Sequence, residues 1–336
     1  MLPKSKLQPI PSAVELNRDV ESLLVQAASG RSVFFRDQYK PLTFAHNSDA
    51  HAVSETWDRM VEYINYYADF IDFCLHTGDY CGGTQESYCD FYTECRPCVK
   101  PILNCVGNHD TLRNKQERDG GCPKEIVHGL LFNHTKDWNV TFMPGEASMT
   151  YYKDFPESNL RLIVLDCYYD ADLQSKWLRE RLEEALESGI HVITAAHEIS
   201  HPITRKENVT FQTLTDFESR GGNKAKRFYD EIIADFKARG GIHVVHLAGH
   251  EHSDMFGRTD RGVLNLAVEC GTSWNGWCDG RRLRGTRTYD CFNVVSVDTN
   301  LKILKILRVG DNADLYLRVK RSLCYDYGKE EVIFNG

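Results

Sequence analysis

Apolar stretches of strand length recur along the chain, and each of five is followed directly by a polar cluster. Buried strands of α/β proteins are near-continuous apolar runs, so these stretches predict core strands. Between the strands, residues 54–71, 173–187 and 224–238 have apolar positions at helical spacing. The five strands are Leu42–Ala45, Phe73–Leu75, Pro101–Val106, Ile190–Ala196 and Ile242–Ala248, with a further core strand at Leu160–Asp166. This alternation predicts an α/β fold.

The end of the chain has a different pattern. Val263–Val268, Tyr289–Val297 and Leu301–Val309 predict successive strands of a β-meander, with turn residues between them. No low-complexity linker interrupts the chain, so one large domain with two sheets is the simplest organisation. We therefore expect a lead-in over residues 1–40 with a helix that ends at Gly30, a domain over 41–310, and a tail over 311–336 packed on or extending that domain.

Composition limits the classes of partner. The 336 residues have a formal net charge of −8, which argues against a general nucleic-acid binder because phosphate backbones attract clustered Lys and Arg. No apolar run has the length of a transmembrane helix, and the first ten residues lack the apolar core of a secretory signal. These features predict a cytoplasmic protein with a small-molecule substrate and no membrane association. They leave the oligomeric state open.

Twelve cysteines are many for such a chain, and five of them fall within 25 residues. A second zinc site or a redox pair is one interpretation of this cluster, because it contains a CxxC. Buried small side chains beside an active-site strand are the other, and the residues favour it because a single CxxC lacks the matching pair of a zinc site. The clustered cysteines are Cys81, Cys89, Cys95, Cys98 and Cys105.

The polar clusters after the five strands contain residue types that fit a two-metal centre. Ligands bind at the carboxyl ends of strands in open α/β sheets, where loops that are distant in sequence converge. Carboxylate and imidazole suit manganese, iron and zinc, and two ions about 3.5–4 Å apart can clamp a phosphoryl group. The clusters are Asp49-Ala-His51, Gly78-Asp79, Gly107-Asn-His-Asp110, His197 and Gly249-His-Glu-His252.

The order of these clusters resembles the signature of the calcineurin-like metallophosphoesterases, which is DxH, GD, GNHD, H and GHxH. Each element alone is common, but all five occur here in order and after predicted strands, over roughly residues 42–252. The resemblance implies a two-sheet αββα sandwich with mixed sheets. It also implies a hydrolase that cleaves phosphomonoesters or phosphodiesters with a dinuclear centre of manganese, iron or zinc ions and a metal-bound hydroxide.

The resemblance implies a role for each residue of the motifs. Asp79 bridges the two ions, and His109 contacts the phosphate and protonates the leaving oxygen. Asp110 hydrogen-bonds His109 and orients it. The first ion is held by Asp49, His51 and His252, and the second by Asn108, His197 and His250, with Asn108 also near the substrate.

The fourth element offers two histidines. His197 directly follows its strand, which suits a metal ligand, whereas His201 lies one loop later and is the candidate for contact with the substrate. By contrast, His243 and His246 lie inside an apolar strand and are interpreted as structural.

Departures from related motifs narrow the branch of the family. The segment from Gly78 to Thr84 lacks the DRG of Ser/Thr protein phosphatases, and Gly82 stands where purple acid phosphatases have a ligating Tyr. The GNHD form resembles cyclic-nucleotide phosphodiesterases and DNA-repair nucleases. A nuclease and a catalytically inactive metal-binding scaffold are therefore the alternatives to a small-molecule phosphoesterase.

A later segment has two further features of interest, which could face a substrate or lie in a solvated loop. They are Trp274 with Trp277, and the basic run Arg281–Arg287.

Overall fold

The computed structural model describes residues 39–51, 54–80, 98–110, 129, 138–145, 148–201, 205–206, 228–252, 254–271, 291–310 and 322–335. The predicted lead-in helix before Gly30 lies outside these residues, as do Cys81, Cys89, Cys95, Trp274, Trp277 and the run Arg281–Arg287. All ten of the predicted site residues lie within them.

One sheet combines both ends of the described chain. Its strands are β1 (Leu42–Asn47), β2 (Phe73–His76), β3 (Ile102–Asn104), β12 (Cys291–Asp298), β13 (Ile303–Gly310), β14 (Ser322–Asp326) and β15 (Glu331–Asn335). Their order is β15-β14-β13-β12-β1-β2-β3, with β1, β2 and β3 parallel and the other pairs antiparallel. Residues 322–335 thus extend the sheet beyond β13.

The second sheet is also mixed. Its strands are β4 (Thr141–Phe142), β5 (Tyr151–Phe155), β6 (Leu160–Val164), β7 (His191–Ala195), β8 (Arg205–Lys206), β9 (His243–Ala248), β10 (Met255–Arg258) and β11 (Leu264–Ala267). Their order is β4-β5-β6-β7-β9-β11-β10-β8, and β6, β7, β9 and β11 are parallel. Two mixed sheets confirm the predicted two-sheet α/β class.

One predicted strand lies in a different sheet from the one expected, and the structure also has strands that the apolar pattern did not predict: β4, β5, β8, β10, β14 and β15. The segment around β11 was expected in the terminal meander, but it pairs in parallel with β9 and antiparallel with β10 in the second sheet. The apolar pattern identified the strand correctly, but a run that is buried on both faces does not specify which sheet it joins. The meander begins instead at β12 and continues through β15.

The two sheets pack through large buried side chains. Phe73 of β2 stacks between Phe44 of β1 and Phe155 of β5, with ring centroids 4.7 and 5.1 Å away. Tyr151 of β5 reaches the end of β3, where its hydroxyl receives the backbone N–H of Asn104 at 2.8 Å and donates to the carbonyl of Asn104 at 3.0 Å. The second sheet therefore fixes Asn104, which lies three positions before the first residue of the third motif.

Three helices of the described residues flank the sheets: α1 (Ser54–Tyr66), α2 (Ala171–Ser188) and α3 (Phe228–Ala238). The α2 helix begins where the Asp170 carboxylate accepts the N–H groups of Asp172 and Leu173, and it ends at Gly189 in the left-handed conformation. Its buried face includes Trp177, Leu178 and Leu182. None of the helices in the described ranges has the length and apolarity needed to span a membrane.

Candidate metal centre

The predicted site residues converge at the carboxyl ends of parallel strands from both sheets. Asp49 and His51 follow β1, Asp79 follows β2 and residues 108–110 follow β3 in the first sheet. In the second sheet, His197 follows β7, and His250 and His252 follow β9. Backbone hydrogen bonds join the loops: Asp49 N–H to Gly78 O at 2.9 Å, and Gly249 N–H to His197 O at 2.9 Å.

Five of these residues have left-handed backbone conformations. Their φ angles are 55° for Asp49, 46° for His51, 58° for Asp79, 68° for His250 and 50° for His252. Non-glycine residues seldom adopt this region because it costs roughly 1–3 kcal/mol each, and such strain clusters at functional sites. The strained turns direct the side chains of successive loops toward one point.

Two motif glycines are required by space. A Cβ on Gly107 would lie 2.1 Å from Asp79 Oδ1, and a Cβ on Gly249 would lie 1.8 Å from Ser48 Oγ and 2.5 Å from Asp49 Oδ2. Any larger residue at either position would displace a carboxylate of the centre. The glycines of GNHD and GHxH therefore make room for the aspartates of the other motifs.

The first cluster of donor atoms consists of Asp49, His51, Asp79 and His252, whose ligand atoms lie within 4.8 Å of one another. His252 Nε2 is 3.1 Å from Asp49 Oδ1 and 3.1 Å from His51 Nε2. His51 Nε2 is 3.8 Å from the same carboxylate oxygen. Donor atoms around a tetrahedral ion with bonds of about 2.0–2.1 Å lie about 3.4 Å apart, so this spacing fits a metal ion.

The second cluster consists of Asp79, Asn108, His197 and His250. His197 Nε2 is 3.3 Å from Asp79 Oδ2 and 3.0 Å from Asn108 Oδ1. His250 Nδ1 is 2.9 Å from Asn108 Oδ1 and 3.1 Å from His197 Nε2. The other ring nitrogen of His197 lies 2.7 Å from the Thr77 carbonyl, to which it donates, and this contact fixes Nε2 as the atom that faces the cluster.

Each aspartate of the centre divides its two oxygens between backbone and histidines. Asp49 Oδ2 accepts the N–H of His250 at 2.9 Å, whereas Oδ1 faces His252 and His51. Asp79 Oδ1 accepts the N–H of His109 at 2.7 Å, whereas Oδ2 faces His197. The backbone of one motif thus orients the carboxylate of another.

The electrostatics of the clusters call for a cation. Both carboxylates are fully buried, and neighbouring histidines hold their pKa values below the usual range against the opposing effect of burial. Burial lowers the pKa of His252, but the Asp49 carboxylate and then Cys270 outweigh it and raise the pKa to about 11. Burial also lowers the pKa of His197, but the Asp79 carboxylate outweighs it and raises this pKa to about 9. Buried aspartates with facing ring nitrogens are the donor set of a metal centre, so the residues fit the implied ions.

The position of His109 agrees with its expected place beside the first cluster, but the hydrogen bonds of Asp110 differ from those expected. The His109 ring is half-buried and lies edge-on to the His51 ring, with centroids 5.0 Å apart, so it is beside the first cluster. Asp110 does not hydrogen-bond this ring as expected. Its carboxylate accepts the backbone N–H groups of Asp79, Tyr80 and Gly107, each at 2.8 Å. Burial, followed by the charge of Asp79, raises the pKa of Asp110 to about 7.

The reason for this difference is local. The residues around Asp79 turn sharply in a left-handed conformation, and their N–H groups point into the protein without a strand partner. Asp110 satisfies them and joins the GD motif to the GNHD motif. Its role in the structure is therefore to position Asp79 rather than to orient the ring of His109.

His201, the candidate for contact with the substrate, faces a different region. Its Nδ1 lies 3.9 Å from the carboxylate of Asp260 in the turn between β10 and β11, and Asp230 of α3 belongs to the same group. That turn precedes β11, whereas the first cluster of donor atoms lies at the other end of this strand, where Cys270 contacts Asp49. The four residues of β11, at about 3.3 Å each, separate the two ends. The loop after His197 turns back across the sheet, which places His201 away from the cluster.

Cys270 is a residue of the site that the motif pattern missed. Its sulfur and one ring nitrogen from each of His51 and His252 lie within 4.8 Å of one another. The residue follows β11 by three positions, so it has the same relation to its strand as the recognised motifs. The assignment of this strand to a meander concealed that signal.

Comparisons with known proteins identify a family and a shared fold. A family model described as calcineurin-like phosphoesterase matches residues 42–254, which is more than half of the chain. Among solved structures, a dimetal phosphatase from Danio rerio has a TM-score of 0.60 at 12% sequence identity, with 87% of this chain and 100% of that chain covered. At this identity the likeness shows a shared fold.

A second solved structure is GAP50, the anchor in the inner membrane complex of Plasmodium, with a TM-score of 0.45 at 12% identity and 88% of each chain covered. Among curated proteins, no significant match was found.

Proposed function

We propose that this chain, which belongs to the calcineurin-like phosphoesterase family, hydrolyses a small-molecule phosphate ester at a centre of two metal ions held by the strand-end residues. Membership of the family makes the chain a phosphoester hydrolase that depends on metal ions. To this we add an assignment of the ligands and of the class of substrate.

The observation that supports two ions rather than one is the position of Asp79. Its carboxylate belongs both to the group with Asp49, His51 and His252 and to the group with His197 and His250. In this proposal Asp79 would hold both ions, and Asn108 would complete the second set through its Oδ1. The ions are manganese, iron or zinc, since the mixed carboxylate and imidazole donors suit all three.

When bound, two such ions neutralise phosphoryl oxygens and supply an activated water at neutral pH. The residues of the chain do the rest. Asp49 and Asp79 hold fixed negative charge because backbone N–H groups orient one oxygen of each. His109, next to the first cluster, contacts the phosphate and donates a proton to the leaving oxygen.

The charge of the whole chain favours a small substrate. A formal net charge of −8 disfavours a polyanionic nucleic acid, for which neutralising contacts by Lys and Arg would be needed. A single phosphate ester needs only the local positive charge of the centre. We therefore propose a small phosphomonoester or phosphodiester as the substrate.

The test combines metal analysis with two chromogenic substrates. Purified protein supplied with Mn²⁺ or Zn²⁺ should bind two equivalents and hydrolyse bis(p-nitrophenyl) phosphate, p-nitrophenyl phosphate or both. The substitution His109→Ala should lower kcat by about 10²–10⁴ and leave two equivalents bound, because a general acid contributes to the reaction and not to ligation. His191→Gln is the matched control, because His191 lies at the opposite end of β7 from His197.

Three results would contradict the proposal. Binding of two equivalents without turnover of either ester would indicate an inactive scaffold. Unchanged kcat in His109→Ala would remove the proposed acid. Salt-sensitive binding and cleavage of DNA, with no activity on the small esters, would indicate a nuclease.

A further inference from the structure

Cys270 lies against the first metal cluster. Its side chain is fully buried, and its sulfur lies 3.0 Å from the backbone carbonyl of Asp49, to which the thiol donates. The same sulfur belongs to a group with His51 and His252, whose ring nitrogens lie 3.1 Å apart. Two ring nitrogens that face each other next to a buried carboxylate indicate a cation position independently of the cysteine.

We propose that Cys270 ligates the first metal ion and gives that position a thiolate donor. This inference rests on the proposed function, because it requires the ion that Asp49, His51 and His252 would hold. It makes the two metal positions chemically different: the first has a sulfur donor, and the second has only nitrogen and oxygen donors.

The backbone on both sides of Cys270 is fixed. The N–H of Gly271 donates to the Ser48 carbonyl at 2.8 Å, immediately before Asp49. The N–H of Glu269 donates to Asp254 Oδ1 at 3.0 Å, and Asp254 lies two residues after His252. Cys270 is thus tied to the loop of each histidine with which it would share the ion.

Glycine is needed beside the thiol. A Cβ on Gly271 would lie 2.9 Å from the Ser48 carbonyl oxygen, which is closer than real Cβ contacts allow. The close approach of the two loops brings the thiol within hydrogen-bond distance of Asp49. The position of Cys270 is therefore a consequence of the same contact that holds the DxH loop.

A buried arginine of the first sheet holds the residues of the second sheet that lie next to Cys270. Arg308 of β13 donates to Asp254 and lies 3.8 Å from the carboxylate of Glu269. Its Nε donates to Asn293 Oδ1 at 2.9 Å, within the first sheet. Because a fully buried charge with several partners has little freedom to move, Arg308 fixes the residue before Cys270 and the loop that follows His252.

Ligation has a defined proton balance. The S–H bond breaks, its proton leaves to solvent, and the sulfur lone pair forms the bond to the metal. The hydrogen bond to the Asp49 carbonyl is lost in the same step. Thiolate is a soft donor that favours zinc over manganese, so the first position should select zinc.

Cobalt substitution provides the direct test. The metal-free protein is titrated with Co²⁺, whose thiolate complexes have an intense near-ultraviolet charge-transfer band, and bound metal is counted separately. The wild type should develop the band with a stoichiometry of one thiolate for each protein. Cys270→Ser should lose the band, and Cys74→Ser should keep it, because Cys74 is equally buried but lies within β2.

Competition between metals gives a second measurement. Cys270→Ser should weaken Zn²⁺ binding by at least about tenfold and change Mn²⁺ binding much less, because only zinc gains strongly from sulfur. Equal loss for both ions in a folded variant would overturn the proposal, since general damage to the site does not discriminate between metals.

The outcomes separate this inference from the proposed function. Two bound equivalents of Co²⁺ without the charge-transfer band would overturn the thiolate ligand and leave the two-metal hydrolase standing. The absence of any bound Co²⁺ would overturn both. A band that survives in Cys270→Ser would assign the sulfur donor to another cysteine and would also overturn the inference.

Discussion

The segment from His243 to His252 contains four histidines in ten residues, and they have two different fates. His243 and His246 lie inside β9, whereas His250 and His252 lie just beyond its end. The first pair is extended backbone within a sheet, and the second pair has φ angles of 68° and 50°. The comparison shows how the position of a residue relative to a strand end decides the chemistry of its side chain.

The histidines inside the strand are neutral and hydrogen-bonded. His246 Nε2 donates to the Glu198 carbonyl at 3.0 Å, so its Nδ1 carries no proton and accepts from the Thr194 hydroxyl at 2.9 Å. That hydroxyl must then accept from His243 Nε2, which is 2.9 Å away. Burial lowers the pKa of His246 to about 3 and that of His243 well below its usual value.

The histidines beyond the strand end meet charged and polar atoms instead. His250 Nδ1 faces Asn108 and His197, and His252 Nε2 faces Asp49 and His51. Burial lowers the pKa of His252, yet the adjacent Asp49, together with Cys270, raises it to about 11. One pair thus stabilises the sheet in its neutral form, and the other is placed where a cation is required.

The interior pair also supports the site. Glu198, whose carbonyl accepts the hydrogen bond from His246, directly follows His197 of the second cluster. The hydrogen-bond chain from His243 through Thr194 to His246 therefore ends beside a proposed metal ligand. Residues that stabilise the sheet thus lie only a few positions from residues of the proposed metal centre. Substitutions can test whether the two roles are separate.

The largest effect is expected for Asp79→Asn. The amide removes the negative charge that both clusters share, so the protein should lose both metal equivalents and about 10⁴-fold or more in kcat/KM. Metal analysis and the ester assay measure these two effects. Asp235→Asn on the exposed face of α3 is the matched control and should match the wild type. Two retained ions in Asp79→Asn would rule out the bridging role.

The next effect is expected for His250→Asn. Asparagine tolerates the left-handed backbone of this position but lacks the ring nitrogen that faces Asn108 and His197. We expect a fall of about 10²–10³ in kcat/KM, loss of one of two metal equivalents, and a free energy of unfolding of the metal-free protein within about 1 kcal/mol of the wild type. Urea denaturation in chelator measures the last quantity.

The distinction between the interior and the strand-end histidines would be contradicted if His250→Asn kept both ions or unfolded the protein. Either outcome would mean that a strand-end histidine serves the fold rather than the centre.

The sequence was sufficient for the strands that precede the motifs, the mixed α/β class and the convergence of the five motifs, but not for the short or edge strands β4, β5, β8, β10, β14 and β15. Each motif follows an apolar run, and parallel strands bring their carboxyl ends to one edge. Two features were not accessible in this way. The partners of Asp110 depend on backbone N–H groups that turn inward near Asp79, which side-chain identity does not reveal. The direction of His201 depends on a loop that folds back toward the β10–β11 turn.

Cys270 illustrates a third kind of limit. Its segment was recognised as a strand, but strand identity does not specify the neighbours, and only the parallel pairing of β11 with β9 brings the thiol to Asp49. Long-range pairing is a property of the whole fold, so the residue was detectable as a strand-end polar group but not as a member of the site.

A smaller effect, on stability alone, is expected for Thr194→Val. The change preserves shape but leaves the buried Nε2–H of His243 and the Nδ1 of His246 without their shared partner. Unsatisfied buried groups of this kind cost about 1–3 kcal/mol each, so the free energy of unfolding should fall by about 3 kcal/mol. Urea denaturation at pH 7.5 measures it. The variant should still bind two metal equivalents. Loss of both in the folded protein would mean that an interior residue also supports metal binding, contrary to the distinction drawn here.

The smallest effect, and the most specific, is a change in the pH dependence of stability in His246→Gln. Below pH ~6.5 the unfolded chain protonates this histidine, whereas the folded protein does not until pH falls to about 3. The contribution of His246 is therefore fully present above pH ~6.5 and is lost as the pH falls toward 3, with a slope of at most about 1.4 kcal/mol for each pH unit. Glutamine can still donate to the Glu198 carbonyl but does not titrate. The metal-free variant should accordingly lose stability between pH 7 and pH 5 less steeply than the wild type by about 1 kcal/mol for each unit, measured by urea denaturation at several pH values. Parallel slopes for the two proteins would show that His246 takes up its proton in the folded protein as readily as in the unfolded chain, and burial would then not keep it neutral.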